Sequence, residues 1–333
     1  GKKQQETDCA EAGDLVATTK LSASTGDTLC ANSRVVNLPR ASFPKSCYSM
    51  AVRPAARGDE AKVAGAIQKL LEEDQTLSYE QNPLTKEMML SGLGEQHLAA
   101  VVSQLKNDFG VEVVLSVPKI AYRETIRKKV KVQGRHKKQS GGHGQYGDVW
   151  IEFEPYPSDE LVFEEKVFGG AVPKNFFPAV EKGLQESVAK GVLAGFPVVG
   201  VKAILVDGSY HPVDSSEMAF KTAASIAYKE GMKQAEPTLL EPIGSLEVSI
   251  PDDNTGDIMG DLNKRRGRVL GMNPSDEDGM TTILAEVPLR EMADFAMQLR
   301  QMTQGEGVFT LTPVRYEQLP ANLMTEVIAA ASE

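Results

Sequence analysis

The spacing of apolar residues changes repeatedly between residues 43 and 117. Cys47–Val52 alternates in steps of two, as a half-buried strand does. Val63, Ile67, Leu70 and Leu71 then recur at helical spacing. Short extended runs follow at Leu77–Tyr79 and Met88–Leu90. Leu98, Val101, Val102, Leu105 and Phe109 mark a second amphipathic helix, and Gly110 stands where a left-handed residue would end it. Val111–Val117 reads as the last strand. The order β-α-β-β-α-β predicts a ferredoxin-like unit.

The same order returns near the C-terminus. Leu246–Ile250, Gly267–Met272, Met280–Val287 and Val308–Tyr316 read as strands. Gly256–Lys264 reads as one helix, and Leu289, Met292, Ala296 and Leu299 as the apolar stripe of another. The segment between the two units, about 118–240, mixes long strands with helices. Tyr122–Val132 and Asp148–Phe153 alternate, and Phe196–Val206 is a continuous apolar run that predicts a buried strand. Phe176, Phe177, Val180, Leu184 and Val188 mark one helix; Phe220, Ala223, Ala224, Ala227 and Tyr228 mark another. Residues 1–40 show no helical period. Gly13-Asp14 and Gly26-Asp27 punctuate short runs such as Leu15-Val16-Ala17, which reads as the end of a small β-domain too short to bury a core alone. The expected fold class is therefore α+β multidomain: two ferredoxin-like βαββαβ domains flanking a third α+β domain, preceded by a β-barrel remnant.

A chain of 333 residues has room for several such cores. Its charge narrows the function. Lys and Arg number 36 against 46 Asp and Glu, a net charge of −10, so any nucleic-acid binding must come from a local patch rather than from the whole surface. Cys9, Cys30 and Cys47 form no C-x-x-C, which excludes a disulfide framework and the common zinc signatures and suits a reducing, cytoplasmic setting. No apolar run approaches a membrane span and the start lacks a signal-peptide core, so no membrane partner is expected. The chain does not begin with Met, which suggests part of a longer protein.

One stretch stands apart from the acidic background. Between Thr125 and Gly147 lie Arg127, Lys128, Lys129, Lys131, Arg135, Lys137 and Lys138, with no Asp or Glu. A basic run is usually only a solvated face. One this free of carboxylates in an acidic chain is better explained by phosphate contact. It leads into Gly142-His143-Gly144-Gln145-Tyr146-Gly147, formally a G-x-G-x-x-G. A dinucleotide loop needs a helix after it, but Val149–Phe153 alternates as a strand. A kinase loop needs H-R-D and D-F-G partners, and neither tripeptide occurs. The motif reads instead as a glycine-rich hairpin tip on a basic strand. A second candidate loop is Gly208-Ser209-Tyr210-His211-Pro212-Val213-Asp214. Asp214 and Glu217 have capping-box spacing, while His211 is equally an idle surface residue or a base-contacting one. Asn263, Lys264, Arg265, Arg266 and Arg268 form a third basic cluster, read first as complement to a helix dipole and second as an RNA contact. His97 opens the second helix of the first unit as a packing or capping residue. No histidine pair, nucleophile elbow or G-x-x-x-x-G-K-[ST] indicates catalysis, and no metal site is expected.

Several of these motifs in order resemble bacterial elongation factor G. They are Thr25–Leu29, Pro118–Ile126, Gln139–Gly147, Gly208–Glu217 and Gly260–Arg268. His143, Asp148-Val149-Trp150 and Gln96 are closer to the elongation-factor-G-like paralogues than to the housekeeping factor. The resemblance implies the end of β-barrel domain II at 1–40, ferredoxin-like domain III at 43–117 and domain IV at 118–240. Domain IV would be ribosomal-protein-S5-domain-2-like. Ferredoxin-like domain V would follow at 241–318, then a tail at 319–333. It implies a GTPase domain, with GTP and Mg, only outside this chain, and no enzyme active site within it. It implies the ribosome, rRNA, tRNA and mRNA as partners of a monomer. Gln139, Ser140, Gly141, Gly142, His143, Gly144 and Gln145 form one tip loop at the decoding region and Gly208–Asp214 the other. Domain V would approach the large subunit through Asn263–Arg268. The implied role is tRNA and mRNA translocation. Ribosome protection, recycling, or a free-standing rRNA-binding module are the alternatives.

Overall fold

The computed structural model describes residues 6–139, 144–274 and 279–331. Contacts divide the chain into two compact units, one running to Gln81 with Met88–Ser116, the other Asn82–Glu87 with the chain from Val117 onward.

The first unit holds β1 (Tyr48–Pro54), α1 (Glu60–Glu73), β2 (Ser78–Gln81), β3 (Met88–Gly92), α2 (Glu95–Phe109) and β4 (Val113–Ser116). The antiparallel sheet has the order β2-β3-β1-β4, the ferredoxin-like arrangement expected. Ile67 and Leu70 of α1 and Leu98, Val101 and Leu105 of α2 are buried with Val52 and Leu90. Gly110 closes α2 at φ +65°, its N–H on Lys106 O at 3.2 Å and that of Val111 on Leu105 O at 3.1 Å. His97 works as a local clasp: Nδ1 accepts from Leu93 N at 3.1 Å, which leaves Nε2–H to donate to Asp74 at 2.9 Å. Residues 6–46 contain no helix or strand. The strand expected near Leu15–Ala17 is not formed: Leu15 is fully exposed and no neighbouring strand satisfies its backbone.

The second unit contains two sheets. One comprises β6 (Val130–Lys138), β7 (Gln145–Pro155), β8 (Val162–Glu165) and β9 (Val201–Ser209), ordered β6-β7-β9-β8. α3 (Phe177–Val188) and α4 (Glu217–Gln234) pack against it, burying Val180, Leu184, Phe220 and Tyr228 with Val149, Ile151 and Phe153. The other is five-stranded: β10 (Pro237–Pro251), β11 (Arg268–Pro274), β12 (Met280–Pro288) and β13 (Val308–Gln318), ordered β11-β12-β10-β13, with β5 (Arg123–Ile126) also paired to β10 and with α5 (Thr255–Lys264) and α6 (Phe295–Met302) on one face. This repeats the strand order of the first unit.

Four stretches depart from the sequence pattern. The single strand expected over Tyr122–Val132 is two. β5 (Arg123–Ile126) pairs with β10, then Arg127 N and Lys128 N both donate to Ala235 O at 3.1 Å, and the chain turns into β6. The apolar run from Phe196 becomes a strand only at Val201. Phe196 and the residues just before it wrap the buried Glu124 carboxylate, which accepts from Leu193 N at 3.0 Å, Ala194 N at 2.9 Å and Phe196 N at 3.2 Å. Leu289 and Met292 lie in a separate 3-10 turn rather than in α6. There Arg265 donates to Glu291 O at 2.5 Å, taking the carbonyl that a continuous helix would need. The stretch expected as a plain tail contains α7 (Ala321–Ala331). Leu319 and Val327 are buried with Leu239, against Tyr122 and Phe196.

Candidate nucleic-acid interface

Strand direction assembles the site. β6 and β9 each run antiparallel to β7, so both end at the same end of the sheet. The connection after β6 and the loop after β9 therefore emerge side by side. These are the two glycine-bearing loops singled out in the sequence. β6 and β7 form an antiparallel hairpin whose last pair is Lys138 with Gln145, so the glycine motif leads into a strand. Gln139, Gly144 and Gln145 are described; Ser140, Gly141, Gly142 and His143 lie outside the described residues.

Asp214 joins the loops. Its Oδ1 accepts from Gly144 N at 3.1 Å, its Oδ2 lies 3.4 Å from His211 Nδ1, and its carbonyl accepts from Tyr146 N at 2.8 Å. A Cβ on Gly144 would stand 2.9 Å from that carboxylate, so the glycine permits the approach. Asp214 is thus not the helix cap that its spacing with Glu217 suggested. Ser216 caps α4, accepting from Ala219 N at 3.2 Å, because it is the residue with extended backbone immediately before the first turn. His211 Nδ1 accepts from Asp214 N at 3.1 Å and Val213 N at 3.3 Å, which orients the ring while half of the side chain stays exposed. Tyr210 and Val213 are exposed beside it. Ser215 Oγ donates to Tyr146 O at 3.0 Å and accepts from His211 N at 2.8 Å.

A hydrogen-bond chain stiffens the base of the tip. Tyr146 OH donates to Ser209 Oγ at 2.8 Å, and Ser209 Oγ donates onward to the buried Asp148 at 2.8 Å. Gln133 Nε2 donates to the other Asp148 oxygen at 2.8 Å. Tyr146, Asp148 and Ser215 fall within the quoted motifs, but the sequence reading gave none of them a role in the site. The signal was available: a carboxylate between alternating apolar residues of a strand needs partners.

The basic stretch divides on folding. Lys131, Arg135 and Lys137 share the solvent face of β6, alternating with the inward Val132 and Gly134. Lys131 lies over the Trp150 ring at 5.8 Å and Arg135 over Tyr146 at 5.6 Å. Among the described residues, none of Lys131, Arg135, Lys137 and Lys138 has a carboxylate within ion-pair distance. Lys129 differs: it is bound to Glu152 at 2.9 Å and Glu154 at 3.1 Å, and the bonds to Glu152 and Glu154 raise its pKa. Arg127 and Lys128 are exposed just before β6, roughly 25 Å from Lys138 at the usual strand rise. The free charge is therefore a stripe leading to the tip.

The third cluster is largely internal. Arg265 is buried and binds Asp261 at 2.6 Å and Asp294 at 2.5 Å. Arg266, at φ +59°, makes two 2.7 Å bonds to the buried Glu241 and reaches Glu291 at 3.1 Å. Arg268 binds Glu286 at 2.6 Å. Of the five, only Asn263 and Lys264 are exposed with no ion pair among the described residues. The same residues show no cluster of metal-ligating groups, and no helix among them is long and apolar enough to cross a membrane.

The sequence model of elongation factor G domain III matches residues 43–117, that of domain IV residues 118–236, and that of the elongation factor G C-terminus residues 238–327. With two ferredoxin-like sheets and a basic-tipped α+β domain between them, the chain belongs to the elongation factor G family and carries translation-factor domains. It is 45% identical over 329 residues to the "Elongation factor G-like protein" of Thermotoga maritima, an overlap of 98% of this chain and 48% of that one. A crystal structure of a protein from Thermus thermophilus is similar at a TM-score of 0.76 and 46% identity, over 88% of this chain and 44% of that one. The chain thus spans about half the length of these relatives.

Proposed function

We propose that the chain is the ribosome-contacting part of a translation factor that acts in tRNA and mRNA translocation. In this reading the tip enters the decoding region of the small subunit. The observation that carries it is the pairing of two glycine-bearing loops at one end of the sheet, tied by Asp214 and fed by Lys131, Arg135, Lys137 and Lys138, which meet no carboxylate among the described residues. Phosphates attract the stripe and fix its register, and the glycines let backbone N–H groups come close to RNA. Tyr210 and His211 present exposed rings that stack on unpaired bases by their faces or hydrogen-bond to them by their polar edges.

The chemistry is positional rather than covalent. A tip held by the Asp214, Ser209 and Asp148 bonds can occupy space vacated by a moving tRNA and resist its return. GTP, Mg and the phosphate-binding loop belong in this reading to a domain outside this sequence. The domain limits 1–40, 43–117, 118–240, 241–318 and 319–333 remain part of the proposal, with the 240 limit inside the continuous strand β10.

The test is the salt dependence of binding to purified ribosomes. Replacing Lys137 and Lys138 by Gln should weaken binding and flatten the slope of log K against log salt by roughly 1.5. An unchanged slope contradicts the reading.

A further inference from the structure

A third loop emerges at the same end of the sheet. β8 runs parallel to β9, so residues 166–173 leave it beside the two tip loops. Both ends of this loop are anchored. Lys166 N donates to Leu205 O at 2.8 Å, and Val172 is buried so close to the start of the second tip loop that a Cβ on Gly208 would meet it at 2.5 Å. Between the anchors, Phe168 is 93% exposed while its neighbour Val167 packs on the core. Gly169 and Gly170 follow at φ +68° and +73°, with no atom within 4 Å of either Cβ position. Their backbone, not crowding, requires glycine, and it fixes the turn that holds the phenyl ring outward.

We infer that residues 166–173 form a third RNA-contacting loop, in which Phe168 stacks on an unpaired nucleobase. This deepens the ribosome reading above and rests on it. A ring held in solvent by an anchored turn keeps both faces open, and base stacking uses a face. Lys174 is exposed just past the loop, Lys166 within it pairs with Glu164 at 3.5 Å, and the β6 cations that meet no carboxylate among the described residues end at the same end of the sheet, so a polyanion is the chemically matched partner.

The test measures affinity of the chain for purified ribosomes with Phe168→Ala, Phe168→Leu and Phe168→Tyr, beside the lysine variant above. The ring is exposed, so melting temperatures should not move. Stacking predicts that Ala and Leu weaken binding on the order of fivefold or more while Tyr keeps it. Full affinity with Leu would mean an apolar pocket on a protein and overturns the inference. No effect of any Phe168 variant, with the lysine variant still weakened, overturns it while the ribosome reading stands. No effect of either overturns both.

Discussion

Asp214 ties three groups: its carboxylate accepts from the Gly144 amide of the first tip loop, its N–H donates to His211 Nδ1 of the second, and its carbonyl accepts from Tyr146 N of β7. The half-buried setting limits what this contributes to stability. Asp214→Ala should cost only about 1 kcal/mol, while amide exchange at Gly144 accelerates. Unchanged exchange there would show that the loops are held by other means. Glu286 gives a pH prediction at the same scale. Bonds from Arg315, reinforced by Arg268, hold its carboxyl at about 2 instead of 4.5. The stabilisation is complete above the unfolded value near 4.5 and is lost as pH falls toward 2. Thermal melts should therefore show a smaller loss of melting temperature between pH 6 and roughly pH 3 for Glu286→Gln than for the parent. An identical loss would contradict the assigned partners. The sequence displayed residue types here but not their partners. Asp214 looked like a cap because spacing along the chain cannot show Gly144, seventy positions away. The cationic cluster at 263–268 looked available because nothing local marks Glu241, Glu291 and Asp294 as its acceptors.

Among the elements, helices and paired strands were legible wherever one face is buried, since burial imposes the period. Both ferredoxin-like units and the stripes of α1, α2, α3 and α4 follow from it. Three of the failures have a common cause: a tertiary hydrogen bond took a backbone group that the local pattern had assigned. Ala235 O splits the strand after Ile126, the Glu124 carboxylate delays β9, and Arg265 interrupts the helix before α6. The amphipathic spacing of Leu319, Leu323, Val327 and Ile328 was present but short, and a flanking proline concealed α7. Packing at the tip depends on strand–helix approach. A Cβ on Gly134 would stand 2.1 Å from Ala223 O and 2.6 Å from Ala227 N, both backbone atoms of α4. Gly134→Ala should destabilise the domain by about 3 kcal/mol or prevent folding, measured by urea denaturation. A loss below roughly 0.5 kcal/mol would mean that β6 and α4 are not in close contact.

In the second unit, β10 runs from its pairing with β5 to its pairing with β12 and β13, so β5 belongs to this sheet and only the short segments 127–129 and 235–236 connect it to the other. Arg266 on the buried Glu241 steadies β10, and the Arg123 guanidinium 4.1 Å from the Tyr316 ring centroid with Tyr316 OH on Ala121 O at 3.0 Å forms the seam by which residues 121–126 join this sheet. Arg266→Ala strands a buried carboxylate and should cost about 2–3 kcal/mol, less than a fully buried pair because the guanidinium is partly exposed. A single melting transition for the unit should persist; its division into two would contradict a continuous seam. Such a seam gives the tip a firm base. The most direct measurement is hydroxyl-radical probing from an iron chelate on Val213→Cys, in a chain whose Cys9, Cys30 and Cys47 are replaced by Ser, bound to ribosomes. The predicted result is cleavage of small-subunit rRNA around the decoding site, lost when Lys137 and Lys138 are neutralised. Binding without cleavage there would contradict the placement of the tip, and with it the proposed role in translocation.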